Sequence, residues 1–97
     1  MFEVRQTTLF RRWFGRLKDK RAVEGIAQRI VRLQAGLFGG VKFFDGIGEL
    51  CVDHGPGYRV YFVQRGPLLI ILPWGGDKAS QARDIRRAKI MADDLEI

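Results

Sequence analysis

From Phe2 to Gln6 apolar and polar positions alternate, Phe2 and Val4 against Glu3 and Arg5, which is the period of a half-buried strand. The period then changes. Leu9, Phe10, Trp13, Phe14 and Leu17 fall at spacings of one, three and four and predict a helix with a broad apolar face, capped by Thr7 or Thr8. Asp19 offers a second cap, and Val23, Ile26, Ala27, Ile30, Val31 and Leu33 repeat the helical period up to a stop at Gly36. The two helices are expected to form a hairpin. Gly25, inside the second, marks a close approach to another helix or to the sheet.

Beyond Gly36 short apolar runs are punctuated by glycine and predict strands over 41–45, 48–53, 58–64 and 68–74, with turns at Gly55-Pro56-Gly57 and Arg65-Gly66-Pro67. The unbroken run Leu68 to Leu72 suits a central strand covered on both faces. After Gly75-Gly76, Asp77 caps a last helix with a narrow stripe of Ala82, Ile85, Ala88, Ala92 and Leu95. Strand, two helices, three or four strands and a helix give an α+β domain over residues 1–97: a small antiparallel sheet of about four strands with the helices collected on one face, an N-terminal hairpin followed by a C-terminal helix.

A chain of 97 residues, 46% hydrophobic and 29% charged, has room for one hydrophobic core and the composition of an ordinary globular domain. Its longest apolar run, Leu68 to Trp74, is far short of the roughly 18 residues that span a bilayer, and no signal-peptide pattern is visible at the N-terminus. A lone Cys51 and a lone His54 supply neither a disulfide nor the usual multi-ligand zinc site, so the expectation is a reducing cytosol, no metal and no cofactor. The net charge of +6 points to an anionic partner. Residues 1–34 hold nine Lys or Arg against three Asp or Glu, so the basic excess is N-terminal.

Candidate chemistry centres on the strand Tyr58 to Val63. Alternation puts Tyr58, Val60 and Phe62 in the core and Arg59 and Tyr61 together on the other face. An arginine beside a phenol suits a phosphodiester with its nucleotide, although the same pair also serves as an exposed cross-strand contact that tunes the sheet. The segment Gly75 to Gln81 places backbone amides and Lys78 where they can meet an anion, or else forms a capped turn with a solvated lysine. It lacks the GxxxxGK[ST] spacing of a nucleotide-triphosphate loop. His54 beside Asp53 is a candidate acid or base, and Cys51 reads as inert. The helical arginines and lysines from Arg11 to Arg32 read as a solvated face able to attract a polyanion at long range.

The blocks Gly55-Pro56-Gly57-Tyr58-Arg59-Val60-Tyr61-Phe62 and Gly75-Gly76-Asp77-Lys78-Ala79-Ser80-Gln81, with Lys42, Gly46, Glu49, Leu50, Asp84, Ile85 and Ala88 and the two preceding helices, resemble the RelE/ParE superfamily of bacterial toxins, in particular its HigB-like addiction module killer branch. The resemblance covers nearly the whole chain. It implies a toxin of a type II toxin-antitoxin pair. RelE and HigB relatives cleave mRNA on the translating ribosome without a metal, the ribose 2′-hydroxyl attacking the adjacent phosphate, whereas the ParE branch inhibits DNA gyrase. A cognate antitoxin, commonly a helix-turn-helix protein, neutralises the toxin and represses the shared operon, so contact with operon DNA is indirect.

Carried over residue by residue, the resemblance makes Arg59 a contact to the scissile phosphate and Lys78 the basic residue after the last strand. Tyr61 ranks first among the remaining candidates, with His54 and Lys42. The expected set is therefore Arg59, Tyr61 and Lys78 for catalysis and Lys42, His54 and Arg59 for RNA binding. This chain departs from RelE itself at Glu49 and Cys51, where RelE carries two lysines, and at Asp84, where it carries a tyrosine. The alternatives are a gyrase inhibitor on the same fold and a non-catalytic nucleic-acid-binding module.

Overall fold

A computed structural model describes residues 1–94. Six strands, β1 (Glu3–Gln6), β2 (Val41–Phe44), β3 (Ile47–Val52), β4 (Tyr58–Arg65), β5 (Leu69–Leu72) and β6 (Gly75–Asp77), combine with three helices, α1 (Thr8–Arg16), α2 (Lys20–Gln34) and α3 (Gln81–Asp94). The sheet runs β1-β5-β4-β3-β2, with β6 also paired to β4. It is mixed, not antiparallel: β1 lies parallel to β5, Val4 opposite Ile70, while the other pairs are antiparallel. The parallel pairing follows from the connection, because α1, α2 and three strands intervene and carry the chain back to the same end.

The first two helices begin and end on local signals. Thr7 Oγ1 accepts from the Phe10 amide and donates to the Pro73 carbonyl, so the α1 cap also ties that helix to the sheet. Asp19 Oδ1 accepts from the Arg21 and Ala22 amides at the start of α2. Gly36, at φ +79°, reverses the chain after α2, and the Leu37 amide returns to the Arg32 carbonyl.

Two apolar layers flank the sheet. On one face Phe10, Ile26, Ile30 and Leu33 of α1 and α2 pack on Leu50, Val60, Phe62, Ile70 and Leu72. On the other, Ala88 and Ala92 of α3 pack on Ile47, Tyr61 and Val63. The helices are thus not collected on one face: α3 covers the side opposite the hairpin. Its buried side is Asp84, Ala88 and Ala92, with Ile85 partly covered; Ala82, expected in the stripe, is exposed, and Leu95 lies outside the described residues.

β5 and β6 are successive parts of one path beside β4, broken at Pro73, which has no amide to give to a ladder. β5 pairs with the C-terminal half of β4 and β6 with its N-terminal half, and the Tyr61 amide bridges the break by donating to the Trp74 carbonyl. The glycines of β6 carry the packing on both sides. A Cβ on Gly75 would lie 2.3 Å from the Trp13 ring, and one on Gly76 would lie 1.9 Å from Asp84 Oδ2. The segment expected either to meet an anion or to form a capped turn with a solvated lysine is therefore half strand and half closed turn, with Lys78 exposed. Its turn is closed internally, the Ser80 amide donating to Asp77 Oδ1 and the Asp77 amide to Ser80 Oγ. Asp77 shapes that turn, and the Ser80 carbonyl accepts from the Asp84 amide as α3 begins.

Candidate functional site

β4 places Arg59 and Tyr61 on the same face, as alternation requires, but α3 divides their surroundings. Tyr61 is 0% exposed, beneath α3. Arg59, two residues nearer the turn, is half-buried. The expectation that both project from an uncovered face is corrected: Tyr61 does not reach solvent there, so its phenol is not placed to act in the expected catalytic set.

Tyr61 belongs instead to a buried polar cluster. Its cross-strand neighbour is Glu49, also 0% exposed, and Asp84 is 2% exposed at the first turn of α3. Gln81 Nε2 donates to both Glu49 oxygens, at 3.0 and 3.3 Å, and Cys51 Sγ to Oε1 at 3.6 Å. Asp84 accepts from Trp74 Nε1 at 2.9 Å and from Ser80 Oγ, and the N-terminal turn of α3 favours its negative charge. The carboxylates are thus satisfied, while the Tyr61 hydroxyl is buried with no hydrogen-bond partner among the described residues. Burial pushes the phenol far above its ordinary pKa, and Glu49 and Asp84 add to the shift against the pull of Arg59. Burial likewise raises the Cys51 thiol, and Glu49 reinforces it, which agrees with an unreactive cysteine.

The other expected residues come together at the far end of β4. An open pocket of about 280 Å³ is lined by Asp53, His54, Gly55-Pro56-Gly57, Arg59 and Lys78. Gly57, at φ +75°, draws the two cations to one place: a Cβ there would lie 3.0 Å from Arg59 Nη1 and 3.6 Å from Lys78 Cβ. Arg59 Nη1 donates to the Gly57 carbonyl at 3.1 Å, and its Nε has no partner among the described residues. Lys78 is exposed. His54 shares the pocket, and its ring contact is Asp19, not the neighbouring Asp53: Nε2 lies 2.8 Å from Asp19 Oδ2. Partial desolvation raises the Asp19 carboxyl, but hydrogen bonds from the Ala22 amide, His54 and the Arg21 amide outweigh it and hold the group below its ordinary value.

Lys42 stands apart. It is exposed on β2 opposite Glu49, on the same face as Arg59 but outside the pocket. The structure therefore unites Arg59, Lys78 and His54, seals Tyr61 away and leaves Lys42 on the rim of the sheet. Asp19 is the residue that the sequence pattern did not assign to the site. Its only sequence signal was that of a helix cap, and its contact spans 35 positions. Among the described residues no group of three or more His, Cys, Asp or Glu side chains could hold a metal ion, and no helix is long and apolar enough to cross a membrane.

A protein of Haemophilus influenzae, described only as uncharacterized, is 46% identical to this chain over 94 residues, covering 96% of this chain and 95% of its own length. The chain belongs to the same family as that protein. No family model and no solved structure matches it.

Proposed function

We propose that the family this chain shares with its Haemophilus relative consists of type II toxins on a RelE/ParE-like fold, and that this chain cleaves mRNA on the translating ribosome. The observation that carries the reading is the pocket in which Arg59 and Lys78 meet beside the Gly55-Pro56-Gly57 turn. Two cations, Arg59 on β4 and Lys78 on the turn after β6, suit a phosphodiester, Arg59 as a planar fork and Lys78 as a mobile point charge. When a 2′-hydroxyl attacks the adjacent phosphorus, negative charge grows on the non-bridging oxygens, and fixed cations there stabilise the transition state more than the ground state. The products are a 2′,3′-cyclic phosphate and a 5′-hydroxyl, with no metal required for the step. The net charge of +6 favours approach to RNA.

In this reading the toxin works in the cytoplasm. It is held inactive by a cognate antitoxin, a helix-turn-helix protein whose acidic segment covers the Arg59 pocket, and it reaches operon DNA only through that partner. Purified chain added to translating ribosomes should produce breaks within codons. Arg59→Ala and Lys78→Ala should each lower the cleavage rate by about 10²–10³ with the circular dichroism spectrum intact. Uncut mRNA with the unaltered chain overturns the reading. The burial of Tyr61 removes one expected catalytic group and favours one second reading, a non-enzymatic inhibitor of DNA gyrase on the same fold, which blocked supercoiling with uncut mRNA would support.

A further inference from the structure

We infer that Asp19 and His54 form the proton-transfer pair of the Arg59–Lys78 pocket, with His54 accepting the proton of the attacking 2′-hydroxyl and Asp19 holding the imidazole in place. The inference rests on the ribonuclease reading and supplies what that reading leaves open, the group that moves the proton.

The imidazole is anchored at both ends. Its main chain is fixed in the turn, the His54 amide donating to the Val52 carbonyl and the His54 carbonyl accepting from the Gly57 amide. Its ring is fixed by Asp19, which divides its two oxygens: Oδ1 takes the Arg21 and Ala22 amides, and Oδ2 takes His54 Nε2. The carboxylate is thereby oriented by the main chain of α2 and in turn orients the ring, the arrangement in which a third group sets a base against its substrate. Gly55, at φ +56°, makes the left-handed step of the turn that carries His54, and a Cβ there would only touch Asp19 Oδ2 at 3.9 Å. Both side chains remain over one-third exposed, 35% for His54 and 39% for Asp19, so the pair is open to a ligand in the pocket. The charged groups facing the ring are Asp19 from the α2 cap and, around the pocket, Asp53, Arg59 and Lys78.

With Nε2 engaged by Asp19, Nδ1 is the ring nitrogen left to react. The proton on O2′ passes to Nδ1 as the O2′–P bond forms. The P–O5′ bond breaks, and the departing 5′-oxygen takes a proton from water. The imidazolium returns its proton to water, which leaves the pair as it began. Asp19 acts through His54 and is a positioning residue, not a catalytic one.

The test uses the full chain on programmed ribosomes, with single-turnover cleavage followed from about pH 5 to 8, where an imidazole changes charge. The unaltered rate should rise across this range. His54→Gln should cleave about 10²–10³-fold more slowly and lose the rise, and added imidazole should restore part of the rate in His54→Ala. Asp19→Ser keeps a capping oxygen on α2 but is too short to reach the ring. It should lose up to about 10²-fold in kcat through misorientation, with KM and helix content unchanged. His54→Gln that cleaves at the unaltered rate and pH profile, while Arg59→Ala is impaired, overturns the pair and leaves the ribonuclease reading standing. A slow His54→Gln that keeps the rise, with no imidazole rescue of His54→Ala, assigns a structural role and overturns it too. Uncut mRNA with the unaltered chain overturns both.

Discussion

Tyr61 shows how one side chain can be placed on the correct face and still be denied its expected role. Alternation along β4 assigns its direction, but what covers that direction is set by α3, some 20 residues further on. The consequence is a hydroxyl buried without a partner among the described residues, beside two buried carboxylates. Leaving such a group unsatisfied costs about 1–3 kcal/mol, so Tyr61→Phe should match or exceed the parent in urea denaturation at pH 8 and should cleave at the parental rate. The pH dependence has a definite sign. The phenol is raised in the folded state, so its contribution is fully present below the unfolded value near 10 and is lost as pH rises through the folded value. The stability advantage of Tyr61→Phe should therefore widen in alkaline melts. A folded Tyr61→Phe that cleaves more than tenfold slower would return the phenol to the chemistry.

At the scale of elements, legibility followed the range of the interaction. The caps Thr7 and Asp19 and the Gly36 stop act within a few residues, and they appear where apolar spacing places them. β6 escaped because its pattern is written in its neighbours: Gly75 and Gly76 have no side chains, and the groups that define the strand are Trp13 and Asp84. Periodicity predicts α3 but not its docking face, because a carboxylate, Asp84, occupies a position where an apolar stripe predicts carbon. The parallel β1–β5 pairing and the Asp19–His54 contact join distant segments and leave no local trace. Gly25 is the case where a local anomaly did report a long-range fact. A Cβ there would stand 3.0 Å from Val52 Cγ1, so the helix approaches β3 more closely than a side chain at this position would ordinarily allow. Alanine should gain about 1 kcal/mol in helix propensity only if Val52 yields. Gly25→Ala alone should thus be neutral or destabilising, while in a Val52→Ala background it should stabilise by about 1 kcal/mol in urea titrations. An equal gain in both backgrounds would show that the approach is not limiting.

Across the whole molecule, the basic surplus and the pocket meet at one seam. The Asp19–His54 contact brings the α1–α2 junction to the pocket wall, and the exposed Lys18, Lys20 and Arg21 flank Asp19. Arg32 is equally exposed but lies near the other end of α2, roughly 18 Å along the axis at 1.5 Å per residue. On the ribonuclease reading, a strand of RNA seated on Arg59 and Lys78 would run toward the junction, not along the full helical face, and salt dependence can distinguish the two. Each phosphate neutralised on a single strand contributes about 0.7 to the slope of log affinity against log salt. With a 2′-O-methyl RNA that resists cleavage, fluorescence anisotropy between about 50 and 200 mM salt should show Lys78→Ala and Lys20→Ala each reducing that slope by about 0.7. Arg32→Ala should leave it unchanged. Equal losses from all three would mean that the charge acts as a diffuse field over α2 and that the pocket does not fix the path of the RNA.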